Sequence, residues 1–294
     1  KSFVEDYNKM LDKLNGYVYE EPNYRKYAPL TDAQRDEMTE SQIKSIVGEV
    51  MAKMQLNNSV SGMHGVYADM NTAIEKAKEA QKVVRMLSMD QREKIISRIR
   101  TKIKENAETF ARMGVNETGM GNVGDKILKH LLVAEKTPGT EDLDPKVWTG
   151  DRGLTLVEMA PFGVVGAITP STNPSETVIC NSIGMIAAGN GVVFNPHPNA
   201  IAASNYAVDL VNRASKTMGG PEILVCSMKK PTLESASIMQ SHPAIRLLVC
   251  TGGPGVVKAV LSSGKKAIGA GAGNPPVIVD DTADIQKAGK DIID

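Results

Sequence analysis

Residues 163–196 read GVVGAITPSTNPSETVICNSIGMIAAGNGVVFNP: a short aliphatic run, a turn-rich step, an apolar stretch of helix length, a glycine stop and a second aliphatic run. Short β-branched runs separated by segments of crossover length predict strands joined by helices. The alternation continues outward through helix AIAASNYAVDLVNRAS (200–215), strand EILVCSM (222–228), helix TLESASIMQSH (232–242), strand RLLVCTG (246–252) and helix GVVKAVLSSG (255–264). Strands that are apolar on both faces must be covered on both, so the fold class is α/β, a Rossmann-like parallel sheet with helices on each side. Ligands of such sheets bind beyond the carboxyl ends of the strands. Three predicted strands end there in small or turn-forming residues: ITPSTNP, FNPHP and CTGGPG.

Toward the N-terminus the pattern changes. Residues 1–40 are charged and tyrosine-rich and read as an extension with one short helix. The segment SQIKSIVGEVMAKMQL sets Ile43, Ile46, Val47, Val50, Met51 and Met54 on one stripe, which predicts an amphipathic helix within 41–58. Residues 72–113 carry two long helical patterns, the second opening on Ser88 and Gln91 in capping-box spacing. Strand-like residues on either side of GDRG predict a β-hairpin at about 146–160. Residues 59–294 are read as one domain.

Composition excludes several functions. Of 294 residues, Lys plus Arg number 34 and Asp plus Glu 34, so no net field draws the chain to nucleic acid or anionic lipid. No apolar run reaches the roughly 20 residues of a membrane span, and KSFVEDYNKM has neither a signal peptide's apolar stretch nor an initiator Met. The expectation is a cytoplasmic chain that is a piece of a longer one. Cys180, Cys226 and Cys250 are scattered among aliphatic residues and are read as small buried side chains, and with four dispersed histidines no metal site is expected.

Two stretches carry chemistry. In TPSTNPSE (169–176), Asn173 at the N-cap, Pro174 at the first helical position and Glu176 at the third make a sound helix start. The same helix end can instead aim backbone N–H groups at a developing negative oxygen. In TGGPG (251–255), paired glycines let a phosphate approach the backbone at a helix N-terminus, although a tight turn alone would look the same. A third stretch, AIGAGAGNPP (267–276), places glycines on alternate positions and offers no side chain able to move a proton.

Taken in order, APFGVVGAITPSTNPSETV, NSIGMIAAGNGVVFNPHP, TGGPGVV and GAGAGNPPVIVDDTADI resemble the aldehyde dehydrogenase superfamily. More narrowly, they resemble the CoA-acylating propionaldehyde and acetaldehyde dehydrogenases of bacterial microcompartments that degrade propanediol, ethanolamine or related substrates. The resemblance runs from about residue 66 to 294. It implies that 59–294 is a cofactor-binding domain, binding NAD and carrying an oligomerising hairpin, and it implies oxidation of a short aldehyde to acyl-CoA by way of a thioacyl enzyme. The cofactors implied are NAD and coenzyme A, and the partners implied are copies of the same chain and microcompartment shell protein. The 41–58 helix is similar to the encapsulation peptides that direct such enzymes to a microcompartment, and equally to an ordinary helix packed on its own domain.

By the same resemblance, the cofactor lies against Thr169, Pro170 and Ser171, against Asn195, Pro196 and His197, against Thr251, Gly252, Gly253 and Val256, and against Gly269, Ala270 and Gly271. Thr172 or Asn173 polarises the carbonyl oxygen. Gly269 stands where hydrolytic relatives carry a glutamate that activates water. An acyl group there awaits a thiol, which is partly thiolate at neutral pH and needs no base. Glycine also permits close strand packing, a rival explanation. Asn195-Pro196-His197-Pro198 replaces the lysine and glutamate that clamp the adenosine ribose in many relatives. The nucleophilic cysteine of the family falls just past Asp294, and none of the three cysteines present matches its context. The alternatives are a hydrolytic dehydrogenase or a catalytically incompetent nucleotide-binding or shell-targeting unit.

Overall fold

The computed structural model describes residues 62–271, 273 and 276–293. The chain divides into two units, Lys1–Gln55 and Leu56–Asp294, and every described residue belongs to the second. The 1–40 extension and the 41–58 helix lie outside the described residues.

In chain order the elements are β1 (Val66–Tyr67), α1 (Met70–Val84), α2 (Met89–Glu105), α3 (Ala107–Thr118), α4 (Val123–Lys136), β2 (Lys146–Gly150), β3 (Gly153–Val157), β4 (Val164–Ile168), α5 (Pro174–Ala187), β5 (Gly191–Asn195), α6 (Ile201–Thr217), β6 (Val225–Met228), α7 (Leu233–Ser241), β7 (Ile245–Thr251), α8 (Pro254–Leu261), β8 (Ala267–Ala270) and α9 (Ile285–Ile293). Six strands form one sheet in the order β1-β6-β5-β4-β7-β8, every pair parallel. This is the Rossmann-like sheet expected from the alternation of runs. The chain leaves β4 in one direction to build β5 and β6, then returns to the other side of β4 for β7 and β8. The crossover in strand order therefore falls between β4 and β7, and sheets of this kind bind ligands beside the loops that follow two such strands.

Side-chain alternation sorts the strands onto two cores. Ala167, Val192, Phe194 and Val225 meet Ile95, Ile99, Ile179 and Ile183 on one face. Val164, Val193, Cys226, Leu248 and Cys250 meet Ile74, Met239 and Val260 on the other. All five residues of β4 and of β5 are buried, which is why these strands read as unbroken aliphatic runs.

The helical region differs in detail from its sequence reading. The capping box at Ser88 forms, with the Ser88 hydroxyl accepting from Gln91 N and the Gln91 side chain accepting from Ser88 N. The two patterns of 72–113 are three helices. Asn106 leaves helical geometry (φ −113°, ψ 12°) and its amide donates to Lys102 O at 2.8 Å, a local bond that competes with the helix and parts α2 from α3. A fourth helix, α4, follows ETGMGN, where none had been expected. AIGA of the glycine-rich stretch is the edge strand β8.

The hairpin is present: β2 and β3 pair antiparallel from Lys146↔Val157 to Gly150↔Gly153. All ten of its residues are exposed, including Val147, Trp148, Leu154 and Leu156. A lone two-stranded ribbon is marginal in water, so an apolar one suits burial against another surface. The hairpin stands where the resemblance implies an oligomerising arm.

Candidate nucleotide site at the carboxyl ends of the strands

Because β4, β5, β7 and β8 run parallel, their ends line up. Ile168 stands opposite Asn195 and Cys250, Cys250 opposite Gly269, and Thr251 opposite Ala270. At ~4.8 Å between strands, the row from Asn195 to Gly269 spans about 14 Å. The predicted site residues from four separate stretches are thus brought to one edge of the sheet. A groove of about 680 Å3, lined by Arg92, Glu93, Thr140, Pro161 and Ala188 among others, lies at the far end of α5 and takes no part in this edge.

The β4–α5 junction is braced from below by α4. Lys126 donates to the carbonyl oxygen of Thr172 at 2.5 Å and to Glu176 Oε1 at 3.2 Å, and both ionic side chains are about 95% buried. His130, one turn along, donates through Nδ1–H to Lys126 O (2.7 Å), which leaves Nε2 to accept from the Ser175 hydroxyl (2.8 Å). Its ring stacks on Phe110 with centroids 5.2 Å apart. Desolvation holds the His130 pKa below its ordinary value against the opposing pull of Glu176, so the ring is neutral.

Lys129 donates to Asn173 Oδ1 at 2.9 Å. An ammonium can only donate, so the amide must present its oxygen to Lys129 and carry its NH2 away from it. Asn173 does occupy the N-cap position, with Pro174 following, but its side chain makes no capping bond. The helix thus starts as TPSTNPSE was read, with Asn173, Pro174 and Glu176 in their places, but the side chains serve other partners: Lys129 takes the Asn173 oxygen, and Glu176 is engaged by Lys126. Thr172 is exposed and Ser171 half-buried, while Thr169 and Pro170 are buried. The Thr169 hydroxyl has no hydrogen-bond partner although the residue is 99% buried.

The β7–α8 junction has none of this bracing. Gly253 is the N-cap of α8, its backbone extended, and no side chain caps the helix. With Pro254 first, the N–H groups of Gly255 and Val256 point outward unpaired by helical bonds. A Cβ added at Gly253 would meet nothing within 4 Å. Gly252 N donates to Ala270 O (3.1 Å), tying the loop to β8.

After β5, the buried Asn195 accepts from Ser235 of α7 at 2.7 Å, Pro196 is buried, and half-buried His197 accepts from Asn199 N through Nδ1. His197 thus acts here as a turn residue. The start of α6 is closed by Glu117 of α3, whose two oxygens accept from Ala202 N (2.7 Å) and Ala203 N (2.9 Å).

The residues fit a dinucleotide. Elsewhere, Asp69, Ser88, Asn122 and Thr232 cap α1, α2, α4 and α7. The two helices at the crossover keep their N-terminal N–H groups open, beside an unpartnered buried hydroxyl and a glycine pair that a phosphate can approach. Among the described residues no group of three His, Cys, Asp or Glu could hold a metal ion. Sequence reading missed Lys126, Lys129, His130 and Glu117, and gave Glu176 only its place in the helix start. A signal existed: Lys126, Lys129 and His130 stand at i, i+3 and i+4, and the buried stripe of α4 begins with a lysine and a histidine.

The sequence matches the aldehyde dehydrogenase family over residues 42–294. The chain belongs to this family. It is 45% identical over 272 residues to an acetylating acetaldehyde dehydrogenase of Bilophila wadsworthia, covering 88% of this chain and 56% of that protein. It is similar in structure to a propionaldehyde dehydrogenase from the Clostridium phytofermentans fucose utilisation bacterial microcompartment (70% identity, TM-score 0.75, 79% of this chain, 53% of that one). A Rhodopseudomonas palustris propionaldehyde dehydrogenase solved with bound propionyl-CoA is also similar (54%, TM-score 0.74, 78% and 51%). Its relatives are thus the CoA-acylating acetaldehyde and propionaldehyde dehydrogenases of the microcompartment type, and the chain spans about half their length.

That half-length match, with the placement of the cysteines, corrects the expectation that this chain is itself an acylating aldehyde dehydrogenase. Cys226 is sealed in the sheet and burial pushes its thiol up to about 12, while burial also raises Cys250. Neither supplies a thiolate at neutral pH. Cys180 is exposed on α5, not buried as its aliphatic neighbours had suggested, and stands about two turns from the junction. No cysteine of this chain serves the site.

Proposed function

We propose that the described unit is a nucleotide-binding half of the CoA-acylating dehydrogenase architecture, able to hold NAD and unable to turn over an aldehyde by itself. The observation that supports this most directly is the pair of uncapped helix N-termini, α5 and α8, on either side of the β4/β7 crossover. Gly252, Gly253 and the N–H groups of Gly255 and Val256 would take the phosphates, with Thr251 at the strand end. Thr169, Pro170 and Ser171 would line the side toward β4, Asn195, Pro196 and His197 the side toward β5, and Gly269, Ala270 and Gly271 the side toward β8. Bound NAD supplies a hydride acceptor.

Within that frame, Asn173 is the better placed of the two candidate carbonyl donors: Lys129 takes its oxygen and leaves the NH2 to donate. Thr172 contributes its backbone carbonyl to Lys126 and keeps an exposed hydroxyl. The residues outside this unit that carry the cysteine in relatives, together with coenzyme A and a short aldehyde, complete the reaction in this reading. Self-association through the hairpin, and a cytoplasmic location inside a microcompartment with shell contact through residues 41–58, belong to the same proposal. Among the described residues no helix is long and apolar enough to cross a membrane.

Calorimetric titration of the chain with NAD tests the reading. Saturable binding is expected, with no NADH formed on adding propionaldehyde and coenzyme A; absence of a binding isotherm overturns it.

A further inference from the structure

Gly269 and Val257 occupy one space. A Cβ built on Gly269 would lie 2.7 Å from Val257 Cγ1, and 3.4 and 3.5 Å from Leu261 Cγ and Cδ1, so the volume into which any side chain at 269 must start is already filled by α8. Contacts under 3.0 Å are not found for real Cβ atoms, so either the helix or the strand has to give.

Neither can do so easily. Valine in a helix has one strongly preferred χ1 rotamer, because the other two press a methyl into the preceding turn, and Val257 therefore cannot swing Cγ1 aside. Leu261, one turn on, lies at ordinary contact distance from the same point. The strand is held by its ladder: Cys250 pairs with Gly269, Thr251 with Ala270, and Gly252 N donates to Ala270 O at 3.1 Å. Moving β8 off the helix breaks that edge of the sheet and drags the Gly252–Gly253 turn with it.

We propose that Val257 is the residue that bars a side chain, and with it a general base, from position 269. The inference rests on the reading of Gly269 as the place where hydrolytic relatives carry their water-activating glutamate. On that basis the preference for a thiol over water as acyl acceptor is a packing property of two positions. Replacing the glycine alone cannot restore a base; position 257 must shrink as well.

A double-mutant cycle on the full chain tests this. In the native background Gly269→Ala lowers the thermal midpoint by about 3–10 °C, the range that overpacking of this kind produces in a unit of this size. In the Val257→Ala background the same change costs little, because the atom it would strike is gone, and Gly269→Glu behaves likewise. Equal shifts in both backgrounds, or no shift in either, overturn the proposal. Should Gly269→Glu fail to fold with Val257 present, the alanine arm completes the cycle. NAD calorimetry on the same proteins separates the two claims: a chain that does not bind NAD but shows the coupling removes the nucleotide reading and leaves the packed pair standing.

Discussion

The two junctions beside the crossover, β4–α5 and β7–α8, are built from the same parts and held in opposite ways. Each is a strand, a short loop and a helix with proline first and no side-chain cap. At β4–α5, two lysines, a glutamate, a histidine and a serine hold the loop from beneath, three of them almost fully buried ionisable groups. At β7–α8 there are glycines, open N–H groups and no side-chain bond. A buried ion pair adds little net stability, since desolvation offsets its attraction; what it provides is one geometry. The difference suggests a division of labour: the first junction is pre-organised to place a donor, and the second stays open to a ligand that brings its own charge.

The largest expected effect breaks the braced side. Lys126→Met leaves Glu176 buried without its partner and should cost about 3–5 kcal/mol in urea denaturation, whereas Lys126→Met with Glu176→Leu recovers most of that loss. On the open side, Gly253→Asp meets no steric obstacle and should leave stability within a few tenths of a kcal/mol. It should weaken NAD binding at least ~10-fold by calorimetry, because a carboxylate then occupies the helix end proposed to take phosphate.

Acid should separate the junctions further. His130 has a lowered pKa in the folded chain, so the unfolded chain takes up its proton first. Stability is full above about pH 6.5 and falls as pH drops toward the folded value, by up to ~1.4 kcal/mol per pH unit, a slope that His130→Leu flattens. The smallest effect is Lys129→Met: this exposed contact contributes about 0.5 kcal/mol or less, but the side-chain amide signals of Asn173 should shift in an NMR spectrum once its oxygen is released.

The β4–α5–β5 alternation was legible because it is local: strands buried on both faces must be aliphatic, and the helices between them must fill a crossover. The hairpin was legible for a similar reason, through GDRG and the strand-forming residues around it. The break between α2 and α3 was hidden, since it depends on which backbone oxygen the Asn106 amide finds. The glycine-rich stretch was read for what it lacks, and the structure adds that its first glycine is wedged against α8. Asn173 looked like a cap by every local rule, until a lysine 44 positions earlier in the chain took its oxygen.

By itself, then, the sequence determined the α/β class and the parallel sheet, and which turns stand at the carboxyl edge where the ligand site is proposed, because period, length and turn chemistry act over a few residues. Tertiary structure alone decided what each polar group at that edge does. It set Lys126 and Lys129 under the loop, left the Thr169 hydroxyl without a partner, sealed Cys226 and Cys250, and put Val257 into the space beside Gly269. Hydrogen-bond partners and packing neighbours are chosen across tens of residues, by which elements the sheet brings together.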